Sequence, residues 1–352
     1  MLGMIVRYFS AKGGDALVLD LNFVAICCIY VNLYIGGHME SKLIVIAIGG
    51  NSLIEDPKKV TVDAQYRAAE KTAHHIANII QEGHRVVIVH GNGPQVGYIL
   101  LRSEYARKIL HSVPLDSCVA DTQGAIGYQL QKALDNEFLI RKMENKAVTV
   151  VTQVEVSPSD PSFSNPTKPI GSFMSEEDAK EHSESFGWTV KEDAGRGWRR
   201  VVPSPKPLSI VELDTIKFLA ASGATVIAAG GGGIPVVRDE EGSLWGKEAV
   251  IDKDLAAAIL AKSLNADAFI ISTAVEKVCL DYNKPTQRAI DSMTVAEAKR
   301  YSEEGQFAPG SMLPKIQALT DYVESTGNLA MIADPEHLSD AMKGLSGTRI
   351  LP

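Results

Sequence analysis

Three short glycine-containing segments follow runs of apolar, β-branched residues, which is the pattern of strands that end in phosphate-binding turns. The segments are Gly49-Gly50-Asn51-Ser52, Gly91-Asn92-Gly93-Pro94-Gln95 and the four glycines at 230–233. At the carboxyl end of a parallel strand, glycine lets backbone N–H groups approach an anion, and the N-terminus of the next helix adds partial positive charge. One such segment is most simply a tight turn. Three of them in one chain predict binding of nucleotide phosphates.

Two further segments add basic groups that could neutralise phosphate charge. They are Val250-Ile251-Asp252-Lys253-Asp254 and the stretch 309–315, which ends in Lys315. The sequence has no G-x-x-x-x-G-K-[ST] loop, and no G-x-G-x-x-G segment opens a helix. The two best-known nucleotide-binding signatures are therefore excluded, and a different phosphate-binding architecture is required.

Strand-like and helix-like stretches alternate from Lys42 onward, and these elements must position the turns. The pattern predicts strands at 43–48, 86–89, 147–151, 224–229, 268–272 and 329–333. It predicts helices at 64–81, from the second glycine turn to Leu101, and at 126–134, 210–221, 253–264, 295–304 and 315–325. Such alternation predicts an α/β fold, a three-layer sandwich in which helices cover both faces of an open, mostly parallel sheet.

Residues 157–207 interrupt this alternation of strands and helices. The segment holds seven of the sixteen prolines, together with Lys168, Arg196, Arg199 and Arg200. A proline-punctuated segment of this length inside a regular α/β pattern predicts an inserted lid subdomain. A disordered linker is the alternative, but the helix-like stretch 176–183 and several strand-like residues favour an ordered lid. The three arginines could be lid salt-bridge partners or could face a substrate, and the sequence leaves both open.

Charge and cysteine content exclude several classes of function. The formal net charge of −8 argues against a nucleic-acid partner, which would call for a basic face. The four cysteines, Cys27, Cys28, Cys118 and Cys279, form no C-x-x-C pair and have no matching histidine spacing. Neither a zinc site nor a disulfide framework is indicated, and a reducing cytoplasm fits best.

Residues 1–38 form an N-terminal extension ahead of the main domain, 39–352. The apolar run at 23–36 is interrupted by Asn32 and is shorter than the 20 or so residues of a membrane span. It also lacks the basic leader and cleavage site of a secretory signal. We expect a dispensable extension and no stable membrane association; a membrane or targeting role is the alternative.

Seven segments resemble the carbamate kinases, a family of the amino-acid kinase superfamily, in order from about Lys42 to Ile350. They are Ile48-Gly49-Gly50-Asn51, His90-Gly91-Asn92-Gly93-Pro94-Gln95-Val96-Gly97, Asn165-Pro166-Thr167-Lys168-Pro169-Ile170-Gly171, Glu192-Asp193-Ala194-Gly195-Arg196-Gly197-Trp198-Arg199, Gly231-Gly232-Gly233-Ile234-Pro235, Ala249-Val250-Ile251-Asp252-Lys253-Asp254 and Gly310-Ser311-Met312-Leu313-Pro314-Lys315. The resemblance implies an eight-stranded sheet of the superfamily type. Two departures are Ser52, where alanine is usual, and Ser272-Thr273-Ala274-Val275 near the nucleotide.

The resemblance also implies a role for each matched residue. Related kinases carry a catalytic lysine where this chain has Ala47, and in carbamate kinases the charge comes from the lid lysine, here Lys168. Lys168 and Lys253 would flank the transferring phosphoryl group, and Asp252 would orient the lysines. The resemblance also implies catalytic roles for Gly49, Gly50 and Asn51. It implies substrate binding by Gly91, Asn92 and Gly93, and nucleotide binding by Lys315, Gly231, Gly232, Ser272 and Thr273.

The activity implied by the resemblance is reversible, Mg²⁺-dependent phosphoryl transfer between ATP and carbamate. It would run as carbamoyl phosphate plus ADP to ATP and carbamate, in the arginine deiminase pathway, in a cytoplasmic homodimer. The sequence shows no cluster of carboxylates that would form a metal site in the protein, so Mg²⁺ would be held by phosphate oxygens and water. The alternatives are a kinase of the same fold for another small acid or phosphate, and a non-catalytic nucleotide-binding module.

Overall fold

The computed structural model describes residues 41–49, 61–193 and 195–352. Two groups of predictions lie outside these ranges. They are the dispensability of residues 1–38 and the roles of Gly50 and Asn51 in the first glycine turn.

The elements are numbered along the chain. The strands are β1 (Leu43–Ile48), β2 (Arg85–His90), β3 (Ala147–Thr149), β4 (Gln153–Val156), β5 (Lys168–Met174), β6 (Val190–Glu192), β7 (Trp198–Val202), β8 (Pro207–Ile210), β9 (Thr225–Ile227), β10 (Ile234–Arg238), β11 (Leu244–Gly246), β12 (Ala268–Ser272), β13 (Val278–Leu280), β14 (Arg288–Ile290), β15 (Ser292–Thr294), β16 (Leu329–Ala333) and β17 (Thr348–Leu351). The α-helices are α1 (Val62–Gln81), α2 (Gly93–Ala106), α3 (Leu115–Ile140), α4 (Glu176–Phe186), α5 (Leu213–Ala221), α6 (Lys253–Ser263), α7 (Val295–Glu303), α8 (Met312–Thr326) and α9 (Leu338–Lys343).

An eight-stranded sheet in the order β15-β17-β16-β12-β1-β2-β9-β3 organises the structure. All neighbouring pairs are parallel except β16 and β17. Ile48 at the end of β1 lies opposite both Ser272 and His90, the last residues of the two adjacent strands. The strands therefore end level with one another, and the predicted glycine turns leave from one edge of the sheet. The predicted fold class is confirmed.

Strand β1 is buried on both faces because every one of its six residues is apolar. Ile44, Ile46 and Ile48 lie in a cluster with apolar residues of α1 and α3. Val45 and Ala47 point to the opposite face and join a cluster with residues of α6 and α8. This alternation follows the two-residue period of a strand, and it gives the sheet a separate core on each side.

Local hydrogen bonds fix where several helices begin. The Thr61 hydroxyl caps α1 by accepting from the Ala64 amide, and Thr294 with Glu297 forms a reciprocal capping box at α7. The Asp252 carboxylate caps α6 by accepting from the Asp254 amide. Each cap satisfies an amide that the first turn of a helix would leave without a partner.

The segment between β4 and β8 contains regular secondary structure among its described residues. Within it, β5, β7 and β6 form a three-stranded antiparallel sheet that accompanies helix α4. Strands β4 and β8 themselves belong to a further sheet in the order β11-β10-β4-β8. The predicted lid segment 157–207 thus contains a small folded unit whose two ends return to a neighbouring sheet.

The lid sheet meets the body where strand β5 crosses helix α2. A Cβ atom built on Gly97 would lie 2.3 Å from the Gly171 Cα and 2.4 Å from its amide nitrogen, far inside van der Waals contact. Gly171 itself has φ of +71°, a conformation that favours glycine. Two glycines are therefore required for this crossing, and it fixes the path of the strand that begins at Lys168.

Several element boundaries differ from the sequence expectation. Helix α3 begins at Leu115 rather than 126. The prediction began too late because the early turns of the helix carry polar residues such as Thr122 and Gln123, which form hydrogen bonds to other segments and do not follow an apolar period. The strand predicted at 224–229 ends at Ile227, since the chain enters the left-handed region at Ala229 (φ 49°). Helix α8 begins at Met312 and accommodates Pro314 in its first turn.

Within the described ranges, no helix combines the length and apolar character that crossing a membrane requires.

Substitution of Gly97 by alanine should separate β5 from α2. The added methyl group would overlap backbone atoms that cannot rotate aside, so we expect the free energy of unfolding to fall by about 1–3 kcal/mol. Gly124→Ala is the matched control, because its Cβ on helix α3 would enter open space. That variant should be neutral or more stable by up to about 1 kcal/mol. Urea unfolding measures both, and equal stability of the two variants would contradict the close crossing.

Candidate active site

The glycine turn at 230–233 packs against the end of strand β2 and the turn that follows it. Ala229, Gly231, Gly232 and Gly233 all have positive φ, and a Cβ on Gly231 would lie 2.1 Å from the Asn92 Nδ2 atom. A Cβ on Gly230 would lie 2.2 Å from the His90 Nε2 atom. A larger residue at either position would displace a buried side chain, and the contacts bring the two predicted phosphate-binding turns together by direct packing.

Gln123 of helix α3 holds this turn in place. Its Nε2 donates to the carbonyl oxygens of Thr152 and Gly230, each at 3.0 Å, and its Oε1 accepts from the Thr152 amide at 2.8 Å. The side chain is buried. Sequence analysis missed this residue, because nothing in its local pattern shows partners 29 and 107 residues away.

The second glycine turn is anchored by its polar side chains. Asn92 donates to the Thr122 hydroxyl at 2.9 Å, and the His90 Nδ1 donates to the Gly91 carbonyl at 3.0 Å. Burial lowers the pKa of His90 to about 4, against the opposing effect of its hydrogen bond to Gly91. His90 is therefore neutral at physiological pH and adds no charge beside the turn.

The amides of Gly49 and Gly91 take part in the sheet rather than pointing at a ligand. Gly49 N–H donates to the Ser272 carbonyl, and Gly91 N–H donates to the Ile48 carbonyl, both at 3.1 Å. Hydrogen bonds to an anion would therefore have to come from backbone amides further along each turn. In the first turn those are Gly50 and Asn51, which lie outside the described residues; in the second they are Asn92 and Gly93.

The lid lysine reaches the body of the protein at Asp252. The Lys168 Nζ lies 2.5 Å from the Asp252 Oδ2, while the Asp252 Oδ1 accepts from the Asp254 amide at 2.9 Å. One carboxylate therefore caps helix α6 and binds the lid. Burial raises the pKa of Asp252, but attraction to Lys168 and Lys253 outweighs that effect and leaves the pKa below its ordinary value.

Asp254 binds the other two predicted lysines. Its Oδ1 lies 2.5 Å from the Lys253 Nζ and its Oδ2 lies 2.8 Å from the Lys315 Nζ, and the residue is 4% exposed. Sequence analysis gave the orienting role to Asp252 alone, but Asp252 has a hydrogen bond only to Lys168 among the three lysines. The signal that could have revealed Asp254 is its place two residues after the helix cap, in the first turn of α6.

The electrostatics of this cluster follow from burial. Burial raises the pKa of Asp254, yet the two lysines more than compensate, and its pKa is lowered. Burial lowers the pKa of Lys253; Asp254 opposes this effect and the nearby Lys315 adds to it. Three lysines and two carboxylates give the cluster a net charge of +1, because Asp254 is shared by two lysines, and a net positive charge favours an anionic ligand.

Ser272 and Thr273 lie at the same sheet edge. The Ser272 Oγ is fully buried and has no hydrogen-bond partner among the described residues, whereas the Thr273 amide donates to the Ala333 carbonyl at 3.0 Å. Ser272 ends strand β12, which pairs with β1, and Thr273 follows it, so the position predicted for nucleotide binding is adjacent to Gly49 at the start of the first glycine turn.

The lid arginines pair with carboxylates, which agrees with the first of the two alternatives left open by the sequence, that of lid salt-bridge partners. Arg196 and Arg199 bind Asp193 within the lid, and Arg199 also donates to the Gly171 carbonyl. Arg200 binds Glu104 of helix α2 at 2.7 Å. The indole nitrogen of Trp188 donates to the same carboxylate, so this contact holds the lid against the body.

The chain matches the amino acid kinase family model over residues 42–334. It is 49% identical over 313 residues to the carbamate kinase-like protein YahI of Escherichia coli (strain K12), covering 88% of this chain and 99% of that protein. It is also 49% identical over 312 residues to a carbamate kinase of Clostridium perfringens, with the same coverage. A solved structure of carbamate kinase from Giardia lamblia bound to AMP-PNP superposes with a TM-score of 0.82 at 42% identity, covering 89% of this chain and 99% of that one.

Substitution of Asp254 by asparagine should destabilise the fold, because two partly buried lysines lose their shared, buried carboxylate. We expect the free energy of unfolding at pH 7 to fall by about 3–5 kcal/mol. A lowered carboxyl pKa contributes stability that is complete above the ordinary value near 3.8 and is lost as the pH falls through the folded value. The deficit should therefore be constant from pH 5 to 8 and shrink only below about pH 4.

The control is Asp321→Asn, which removes the carboxylate of an exposed pair with Lys262. This variant should lose less than about 1 kcal/mol. Urea unfolding across the pH range measures both, and equal losses would show that Asp254 contributes no more than a surface ion pair.

Proposed function

The chain belongs to the amino acid kinase family, where it groups with the carbamate kinases, and we propose that it transfers a phosphoryl group between carbamoyl phosphate and ADP. The observation that carries the proposal is the cluster of Lys168, Lys253 and Lys315 on two aspartates. The segment that carries both aspartates packs against the glycine turn at 230–233, where a Cβ on Gly232 would lie 2.4 Å from the Ile251 carbonyl oxygen. Phosphoryl transfer is catalysed mainly by positioning and by stabilising charge on the equatorial oxygens, and such a cluster supplies both.

The reaction needs no base in the forward direction. An ADP β-phosphate oxygen attacks phosphorus, the bond from phosphorus to the carbamoyl oxygen breaks, and carbamate leaves as an anion. In reverse, the carbamate oxygen is already ionised. The Asp252 carboxylate is committed to Lys168 and to the helix cap, so its part is to position that lysine. Lys168 and Lys253 stabilise the transferring group, and Lys315 binds the nucleotide phosphates.

We propose that Mg²⁺ enters with the nucleotide as part of the substrate. Within the described ranges there is no group of three or more acidic, histidine or cysteine side chains suited to hold a metal ion. The two carboxylates of the site are already engaged by lysines. Mg²⁺ often keeps most of its waters and binds through phosphate oxygens, which suits such a site.

The physiological direction that we propose is ATP formation from carbamoyl phosphate, as in the arginine deiminase pathway, in the cytoplasm and in a homodimer. Exposed apolar side chains on helix α3, among them Leu139 and Ile140, are compatible with a subunit interface. The alternatives are a kinase for another small acid and a non-catalytic nucleotide-binding module. Retention of all three lysines with both carboxylates favours a catalyst.

A coupled assay tests the activity directly. With ADP, Mg²⁺ and carbamoyl phosphate, the purified protein should produce ATP, detected through hexokinase and glucose-6-phosphate dehydrogenase. The control omits the protein, since carbamoyl phosphate decomposes without producing ATP. Absence of ATP at saturating Mg²⁺ and ADP would refute the proposed reaction.

Removal of either catalytic lysine should slow turnover while the protein stays folded. Lys168→Ala leaves Asp252 as the cap of α6, and Lys253→Ala leaves Asp254 paired with Lys315. We expect kcat to fall by about 10²–10³-fold, the scale of losing one preorganised electrostatic group. ADP binding, measured by calorimetry, should change less.

Lys262→Ala is the matched control for these variants, because Lys262 lies on the same helix but pairs with the exposed Asp321. Its kcat should be within about twofold of the unaltered enzyme. A near-normal kcat in Lys168→Ala or Lys253→Ala would remove that lysine from the mechanism.

A further inference from the structure

Gln95 is a buried polar residue that the mechanism above does not use. It is the last residue of the second glycine turn, lies in the first turn of helix α2 and is 7% exposed. Neither its Oε1 nor its Nε2 has a hydrogen-bond partner among the described residues. Buried side-chain amides are nearly always bonded, so a carboxamide with both atoms free indicates a ligand.

The neighbouring polar side chains of this turn are accounted for. His90 donates to the Gly91 carbonyl, and Asn92 donates to Thr122 rather than capping the helix. Side chains of an α-helix tilt toward its N-terminus and lie over the residues three and four positions earlier. For Gln95 those residues are Asn92 and Gly91, so we expect its carboxamide to lie over the glycine turn at the edge of the sheet.

The chemistry of the free carboxamide narrows the ligand. Nε2 can only donate and Oε1 can only accept, so the matching group must be a planar pair of a carbonyl or carboxylate oxygen and an N–H. A phosphate oxygen would satisfy the donor and leave the acceptor without a partner. Bicarbonate offers no N–H, and an acetyl group offers a methyl in its place. A carbamoyl group offers both.

We propose that Gln95 is a specificity residue that binds the amino end of the carbamoyl group, accepting its N–H through Oε1 and donating to its carbonyl oxygen through Nε2. The inference rests on the proposed function, which it deepens. A site built to bond a substrate N–H rejects the analogue that lacks it, because the buried acceptor is then left unpaired. Gln95 thereby separates carbamate from acids of the same shape.

The test compares carbamoyl phosphate with acetyl phosphate as phosphoryl donors to MgADP. In Gln95→Met, which keeps length but loses both hydrogen-bonding atoms, kcat/KM for carbamoyl phosphate should fall by about 10–100-fold. The value for acetyl phosphate should change by less than about threefold, since for that donor the loss of the bond from Nε2 is offset by removal of the acceptor Oε1, which it leaves unpaired. The preference for carbamoyl phosphate therefore collapses. In Gln95→Glu the value for carbamoyl phosphate should also fall, because the carboxylate cannot donate to the carbonyl.

Thr320→Val is the matched control, because Thr320 of α8 also has a buried hydroxyl without a partner among the described residues. Its preference between the donors should be unchanged. An unaltered enzyme that does not prefer carbamoyl phosphate would refute the proposed function, and the Gln95 proposal with it. A preference retained in both Gln95 variants, or an equal loss on both donors, would overturn the Gln95 proposal alone and assign the carboxamide to water or to packing.

Discussion

The first turn of helix α6 carries two aspartates that gather three lysines from distant parts of the chain. Lys168 comes from the lid, Lys253 from α6 itself and Lys315 from the start of α8. Removing one partner from a buried ion pair is costly, because the other charge stays buried without compensation. The lid and helix α8 are thus both bound to the N-terminus of helix α6. The uncompensated positive charge of the cluster is the feature that a phosphoryl group would neutralise.

Helix α2 is the second element on which the lid depends. Near its start, Gly97 lets strand β5 cross at backbone contact, and at its end Glu104 binds both Arg200 and Trp188 of the lid. Strand β5 begins at Lys168, so these contacts and the ion pair to Asp252 act on one short segment. The same helix presents Gln95 in its first turn. Its position therefore affects where the lid lysine lies and, in our proposal, which acid is accepted.

The sequence predicts well what depends on local pattern. Strands β1, β12 and β16 begin and end where the apolar runs predict, since a strand buried on both faces needs an unbroken apolar run. The first half of α3 has no such pattern, because Thr122 and Gln123 face other segments through hydrogen bonds. Lys168, Lys253 and Lys315 were identified through family motifs. Asp254, Gln123 and the pairing of Arg200 with Glu104 were not, because each depends on contacts between residues far apart in sequence.

The burial of Ala47 agrees with our proposal that the catalytic positive charge is supplied by a lysine of the lid. Ala47 is fully buried in the apolar cluster formed with residues of α6 and α8, level with Val89 and Ile271 on the adjacent strands. A lysine at position 47 would have to extend its side chain through that apolar cluster to bring its ammonium group to the sheet edge. In this chain Lys168 reaches Asp252 from the lid side instead. The cluster is then complete only while the lid segment lies against the body, and closure would complete the charge and exclude water in one movement. The substrates that we propose, carbamate and carbamoyl phosphate, both decompose in water, so a site completed by its own lid would protect them.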